Sequence, residues 1–122
     1  MGQDTLIGAT SPGKQLGQLR PANTTAASLY SPGANTKTEV THIVVVETSG
    51  NADSFRIFHD EDGTTYDETT ALFFDEALAA NTTRLIVFER GLWMRDSTGN
   101  LGVRTATANR LTFTAYGVEH EE

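Results

Sequence analysis

The chain has no cysteine, and Lys14 and Lys37 are the only lysines among its 122 residues. The first absence excludes disulfides and thiolate metal sites, so stability has to come from packing or assembly. The second, with seven arginines scattered singly and a net charge of −7, leaves no basic run. That excludes the counterion-releasing surface which sequence-independent nucleic-acid binding requires. No apolar run approaches the ~20 residues of a membrane-spanning helix. The N-terminus MGQDTLIGATSPGKQ lacks the charged segment and apolar core of a signal peptide. Leu6 stands where a myristoylation motif needs Ser or Thr. Neither nucleic acid nor membrane is therefore an expected partner. Hydrophobic residues make up only 38% of the chain. That predicts either a thin core under a Thr-rich surface or a core completed by another subunit.

What is present is a series of short apolar, β-branched or aromatic runs: TEVTHIVVV from Thr38, then SFRIFHD, TALFFDE, TTRLIVFE and LTFTAYGV. Small polar and Gly-containing stretches such as ETSGNADS, EDGTTYDE and DSTGN separate them. Punctuation of this kind predicts an all-β, antiparallel β-sandwich, jelly-roll-like, with about eight or nine strands. Strands are expected at 15–20, 26–30, 38–48, 54–60, 71–74, 84–90, 92–95, 101–105 and 111–118. The run 38–48 alternates, with Val40, His42 and Val44 on one face, and then turns apolar on both faces, as a central strand does. DEALAA, 75–80, is expected to be a loop. Residues 1–14, interrupted by Gly2, Gly8, Pro12 and Gly13, read as an extended N-terminal arm with Leu6 and Ile7 as anchors, and 15–122 as a single sandwich domain. The Asn-Thr-Thr sequons at Asn23 and Asn81 read as turn chemistry.

No catalytic cluster overlies this pattern, and the chain is not expected to be an enzyme. The densest acidic segment, His59 to Glu68, offers Asp60, Asp62, Thr64 and Asp67 as oxygen ligands for Ca²⁺, with Gly63 at the sharp turn. The spacing departs from the full calcium-loop pattern. The competing reading is a hairpin turn whose carboxylates point to water, and no cofactor is required. His42 and His59 stand on strands that can meet across a sheet, but no third ligand completes a zinc site. Trp93 and Arg95, in GLWMR, are of the types enriched at interface hot spots. Trp93 either anchors a partner or closes one end of the core.

The run LRPANTTAASLYSPGANTKTEVTHIVVVETSGNADSFRIFHDEDGTTYDETTALFFDEALAANTTRLIVFE, with GNLGVRTATANRLTFTAYGVE after it, resembles small virion-associated proteins of tailed bacteriophages and prophages. Leu19 to Glu119 carry the likeness. It implies a non-enzymatic structural component of a phage particle, present in the virion and assembled in the host bacterial cytoplasm. A capsid decoration (cement) protein is the first expectation. It would staple neighbouring major capsid subunits through Leu6, Ile7, Trp93 and Arg95, as a homo-oligomer, trimer or dimer. The alternative is a tail- or fibre-associated module binding a receptor or carbohydrate, with Trp93, Tyr66 and Tyr30 as stacking faces.

Overall fold

The computed structural model describes residues 13–95 and 98–121. They form eight strands: β1 Lys14–Leu19, β2 Ala27–Tyr30, β3 Thr36–Glu47, β4 Asp53–Asp60, β5 Ala71–Leu78, β6 Thr83–Arg95, β7 Asn100–Thr105 and β8 Leu111–Glu121. Two four-stranded antiparallel sheets result, ordered β1-β8-β3-β6 and β2-β7-β4-β5. The pairs β4–β5, β3–β6, β2–β7 and β1–β8 are the rungs of one long antiparallel ribbon. Rolled up, that ribbon also brings β8 against β3 and β7 against β4. This winding is the jelly roll, and the fold expected from the runs is the fold observed.

The sheets enclose a core whose larger members include Phe55, Phe113, Ile43, Ile57, Met94 and Leu111, all at most 1% exposed. Phe55 and Phe113, from opposite sheets, meet edge to face at 6.1 Å, the arrangement the ring quadrupoles favour. The low apolar content corresponds to a thin core between the two sheets.

Three local expectations are corrected. First, β3 does not alternate evenly. Its register with β8 and β6 shifts between Val40 and His42, so that Val40, Ile43 and Val45 are buried while His42 turns outward. A bulge at Thr41 exchanges the faces, as one extra residue must when side chains alternate with period two. Second, the expected strands 84–90 and 92–95 are one strand. Val87 lies opposite His42 and Leu92 opposite Val40, so 88–91 bulge out across from Thr41. Gly91 adopts φ 73° there, and a Cβ at that position would meet the Glu39 side chain at 2.5 Å. Third, the expected loop 75–80 is largely strand. β5 continues to Leu78 through Asp75, a left-handed residue at φ 56°. Arg56 of β4 holds Asp75 there with two hydrogen bonds of 2.7 and 3.1 Å.

The two lateral sides of the sandwich differ. One is bordered by the short strands β1 and β2. The other is bordered by β5 and β6, joined through residues 79–82. There Arg84 of β6 reaches across to β5, donating to the Ala77 carbonyl at 2.9 Å and lying 3.8 Å from the Glu76 carboxylate.

Candidate functional site

Among the described residues, the exposed large apolar side chains are Leu72, Phe74, Leu85, Val87 and Trp93. All five lie on β5 and β6, the two edge strands of the same lateral side. On β6, Leu85 and Val87 alternate with buried Ile86 and are 58% and 59% exposed, so they stand on the outer face. On β5, Phe74 carries the Arg56 guanidinium 3.6 Å above its ring.

Trp93 lies beyond the β6 bulge and also faces outward, while its neighbour Met94 enters the core at 0% exposure. Trp93 is thus 40% exposed and does not close the core. Its ring stacks on His120 of β8 at 6.0 Å, with the Lys37 ammonium 4.7 Å from the ring centre. Arg95, Lys37 and His120 are opposite one another across β6, β3 and β8. An aromatic ring bordered by a basic row thus sits on the outer face of a strongly acidic chain. His42 stacks on Tyr116 at 4.8 Å further along this sheet. The structure brings Trp93 and Arg95 to one end of this face; Leu6, Ile7 and the arm up to residue 12 lie outside the described residues. Lys14, assigned to the arm by the sequence, instead begins β1.

The acidic segment is organised by its own backbone. Asp60 is 9% exposed, and its two carboxylate oxygens accept the amides of Asp62 at 3.2 Å and Thr65 at 2.8 Å. These amide bonds hold its carboxyl below the usual carboxylate range, outweighing the opposing effect of burial. Asp67 accepts the Thr69 hydroxyl at 2.6 Å and amide at 2.8 Å, and these bonds likewise lower its carboxyl. These two carboxylates therefore shape the turn, Asp60 from a buried position and Asp67 from an exposed one. Among the described residues no group of three acidic or histidine side chains is placed to share a metal ion. His42 and His59 do not meet. They belong to different sheets, and His59 Nε2 lies 3.1 Å from Glu61.

Tyr30 and Tyr66 do not join Trp93. The Tyr30 hydroxyl donates to Glu119 at 2.5 Å and lies 2.7 Å from the buried Thr38 hydroxyl. Lys14 pairs with the other Glu119 oxygen at 2.7 Å, so Glu119 ties together β1, β2 and β8. Burial and the Glu119 bond push the Tyr30 hydroxyl up, while the bonds from Lys14 and Tyr30 lower the Glu119 carboxyl. The Tyr66 ring lies over Gly102, where a Cβ would come within 2.5 Å of it, and against Phe58 at 5.8 Å.

Sequence reasoning passed over Glu47, at the end of β3, which is 1% exposed. One oxygen accepts the Ser49 amide at 2.9 Å and hydroxyl at 2.5 Å; the other accepts the amides of Gly50 at 2.9 Å and Asn81 at 3.0 Å. Burial pushes its carboxyl up, but these four bonds prevail and hold it at about 2. It pins the β3–β4 and β5–β6 turns together. A Glu closing an apolar strand immediately before a Ser-Gly turn was the available signal. Asn81 at φ 58°, and Asn23, whose side chain accepts the Thr25 amide at 3.0 Å, are turn residues as expected.

No family model and no curated protein matches the chain. The solved structures that match include two of infectious bursal disease virus. The infectious bursal disease virus structure, Gx strain, contains a chain 17% identical, with a TM-score of 0.47, covering 91% of this chain and 29% of that one. For the Gt strain the figures are 14%, 0.42, 91% and 33%. The chain thus spans a third or less of the length of these neighbours. The jelly-roll assignment stands on strand order and register.

Proposed function

We propose that this chain is a non-enzymatic structural protein of a tailed-phage virion, a capsid decoration protein that binds the assembled shell and staples neighbouring major capsid subunits. The observation that supports it most is the Trp93 patch. Its aromatic ring, with Lys37, Arg95 and His120 beside it, suits an acidic and apolar surface on a partner protein, because Trp and Arg desolvate well at interface centres. The resemblance of Leu19 to Glu119 to virion-associated phage proteins supports a partner within the particle, and the decoration reading takes the major capsid protein as that partner. A rigid sandwich that repeats one modest contact over a symmetric lattice gains strength from multivalency.

Co-sedimentation of the purified chain with empty capsids, and separately with tails, tests this. Saturable binding to capsids at a fixed copy number per major capsid subunit, weakened by Trp93→Ala in a protein that still folds, is the expected result. Failure to bind capsids would overturn it. The second reading is a tail- or fibre-associated module that stacks a sugar ring on Trp93, with the Lys37 ammonium beside it. Binding confined to tails or to host-cell glycans, lost with Trp93→Ala, would establish that reading in its place.

A further inference from the structure

The chain covers apolar side chains on one outer face of its sandwich and leaves those on the other open. On the β2-β7-β4-β5 sheet, the Tyr66 ring packs on Phe58, which is 1% exposed, and the Arg56 guanidinium covers Phe74. On the β1-β8-β3-β6 sheet, outward side chains of neighbouring strands line up in apolar rows instead. Trp93 shares one row with Val118, Val87 the next with Tyr116, and Leu85 the third with Val44. The β6 members of these rows are 40%, 59% and 58% exposed. We infer that this whole face, not the Trp93 corner alone, docks another protein, which presents a flat apolar area with carboxylates at the Lys37 end. The inference rests on the partner contact proposed above and extends its footprint.

Charge selects the partner. Among the described residues the Lys37 ammonium has no carboxylate partner; its contact is the Trp93 ring. With Arg95 and His120 in the same row, it makes one end of the face basic. Glu39, also on this face, lies against Gly91 of the β6 bulge. The far end, at Val46, Thr83 and Thr112, carries no charge. A second copy stacked face to face therefore brings no acid to the basic row. A two-fold axis along the strands sets basic end on basic end, and one across the strands sets the basic end on the uncharged end. A different protein with acidic groups at that position is the complementary occupant.

Area agrees with this. From the spacing of strands and the rise per residue, the face is roughly 19 Å wide and about 30 Å long, on the order of 600 Å². A standard protein–protein interface takes about 800 Å² from each partner, so the whole face approaches that size while the Trp93 corner alone falls far short. The composition also fits, with apolar rows at the centre and charge confined to one rim.

The test is co-sedimentation of the full chain with capsids and with tails, using variants whose urea midpoints match the parent. Leu85 lies roughly 15 Å from Trp93 along the strands. Leu85→Asp should weaken binding at least tenfold, because docking would bury an unpaired carboxylate. Leu72→Asp, at a residue 42% exposed on the other outer face, should leave binding unchanged. Lys37→Glu should weaken it more than Lys37→Met, and the gap should shrink as salt rises. Binding lost with Trp93→Ala but untouched by Leu85→Asp would overturn the extended face and leave the capsid reading standing. Equal losses from Leu85→Asp and Leu72→Asp, or equal effects of the two Lys37 variants, would also overturn the inference. Binding to tails in place of capsids, with the expected pattern of variants, would support the face and overturn the capsid reading. A parent chain that binds neither defeats both. A dimer of the chain alone in sedimentation velocity, dissociated by Leu85→Asp, would overturn the inference by giving the face to a second copy.

Discussion

Gly117 offers the sharpest quantitative test of the packing. It sits in β8 opposite Val40, where β3 shifts register. A Cβ there would lie 2.1 Å from the Glu39 carbonyl oxygen and 2.9 Å from both the Val40 Cα and the Leu16 side chain. Ordinary contact begins at 3.4 Å, so the central strand pair would have to part by more than 1 Å against its own hydrogen bonds. Gly102 is the control. Its Cβ would also be crowded, at 2.5 Å, but by the Tyr66 ring, a side chain that can swing aside. Overpacking costs ~1–3 kcal/mol, and more where backbone must move. Gly117→Ala should therefore cost about 3 kcal/mol or more, and Gly102→Ala about 1–2 kcal/mol, mostly the lost Tyr66–Phe58 contact. In urea melts both midpoints should fall with an unchanged slope, and Gly117→Ala should lower Tm by roughly 10 °C. An equal or larger loss for Gly102→Ala would refute the distinction between backbone and side-chain obstruction.

Glu47 should give the fold an acid-sensitive component. Its folded carboxyl, at about 2, lies below the ordinary value of 4.5. Its contribution is thus complete above pH 4.5 and lost as pH falls towards 2. Melts of the chain and of Glu47→Gln should differ clearly at neutral pH and converge at low pH; a constant gap would remove Glu47 from this role. Tyr66→Phe deletes a buried hydroxyl for which no residue meets full hydrogen-bond geometry, Ser28 being its polar neighbour. It should leave stability unchanged or raise it by up to about 1 kcal/mol in urea melts, and a clear loss would reveal a partner for that hydroxyl. Glu119→Gln should lower stability at neutral pH by weakening its bonds to Lys14 and Tyr30. A parallel melt of Lys14→Met should show the smaller loss, since that ammonium is over half exposed.

The jelly roll was legible because its strands are runs of Val, Ile, Phe and Thr cut by Gly, Asn and Asp. These residue types report local backbone preference directly. The errors all fall where pairing with another strand overrides local pattern. The Thr41 bulge exchanges the faces of β3, residues 88–91 bulge out of a continuous β6, and Asp75 keeps β5 extended because Arg56, nineteen residues earlier, holds it. No periodicity within a single run records such partners. The same holds for the polar pins. Glu47 was hidden in a turn-like stretch because Asn81, its cross-turn donor, is 34 residues away. At the candidate site, Trp93 and Arg95 could be named from residue type, but Lys37 and His120 could not, since register alone carries them to the Trp93 ring.

That register also separates core from surplus. The inward residues of both sheets, from Val40 and Ile43 to Leu101 and Phe113, are fully buried within one copy. Arg84 bridges the β5–β6 side from within. Leu72, Phe74, Leu85 and Val87 are consequently not an unfinished core awaiting a subunit, as obligate dimers present. They are apolar area added outside a finished one. An obligate dimer has no stable monomer, and its unfolding midpoint rises with protein concentration. Here the folded monomer should persist on dilution, with a urea midpoint independent of protein concentration. A midpoint that keeps falling with dilution, together with loss of strand signal in circular dichroism, would show that the second copy completes the fold.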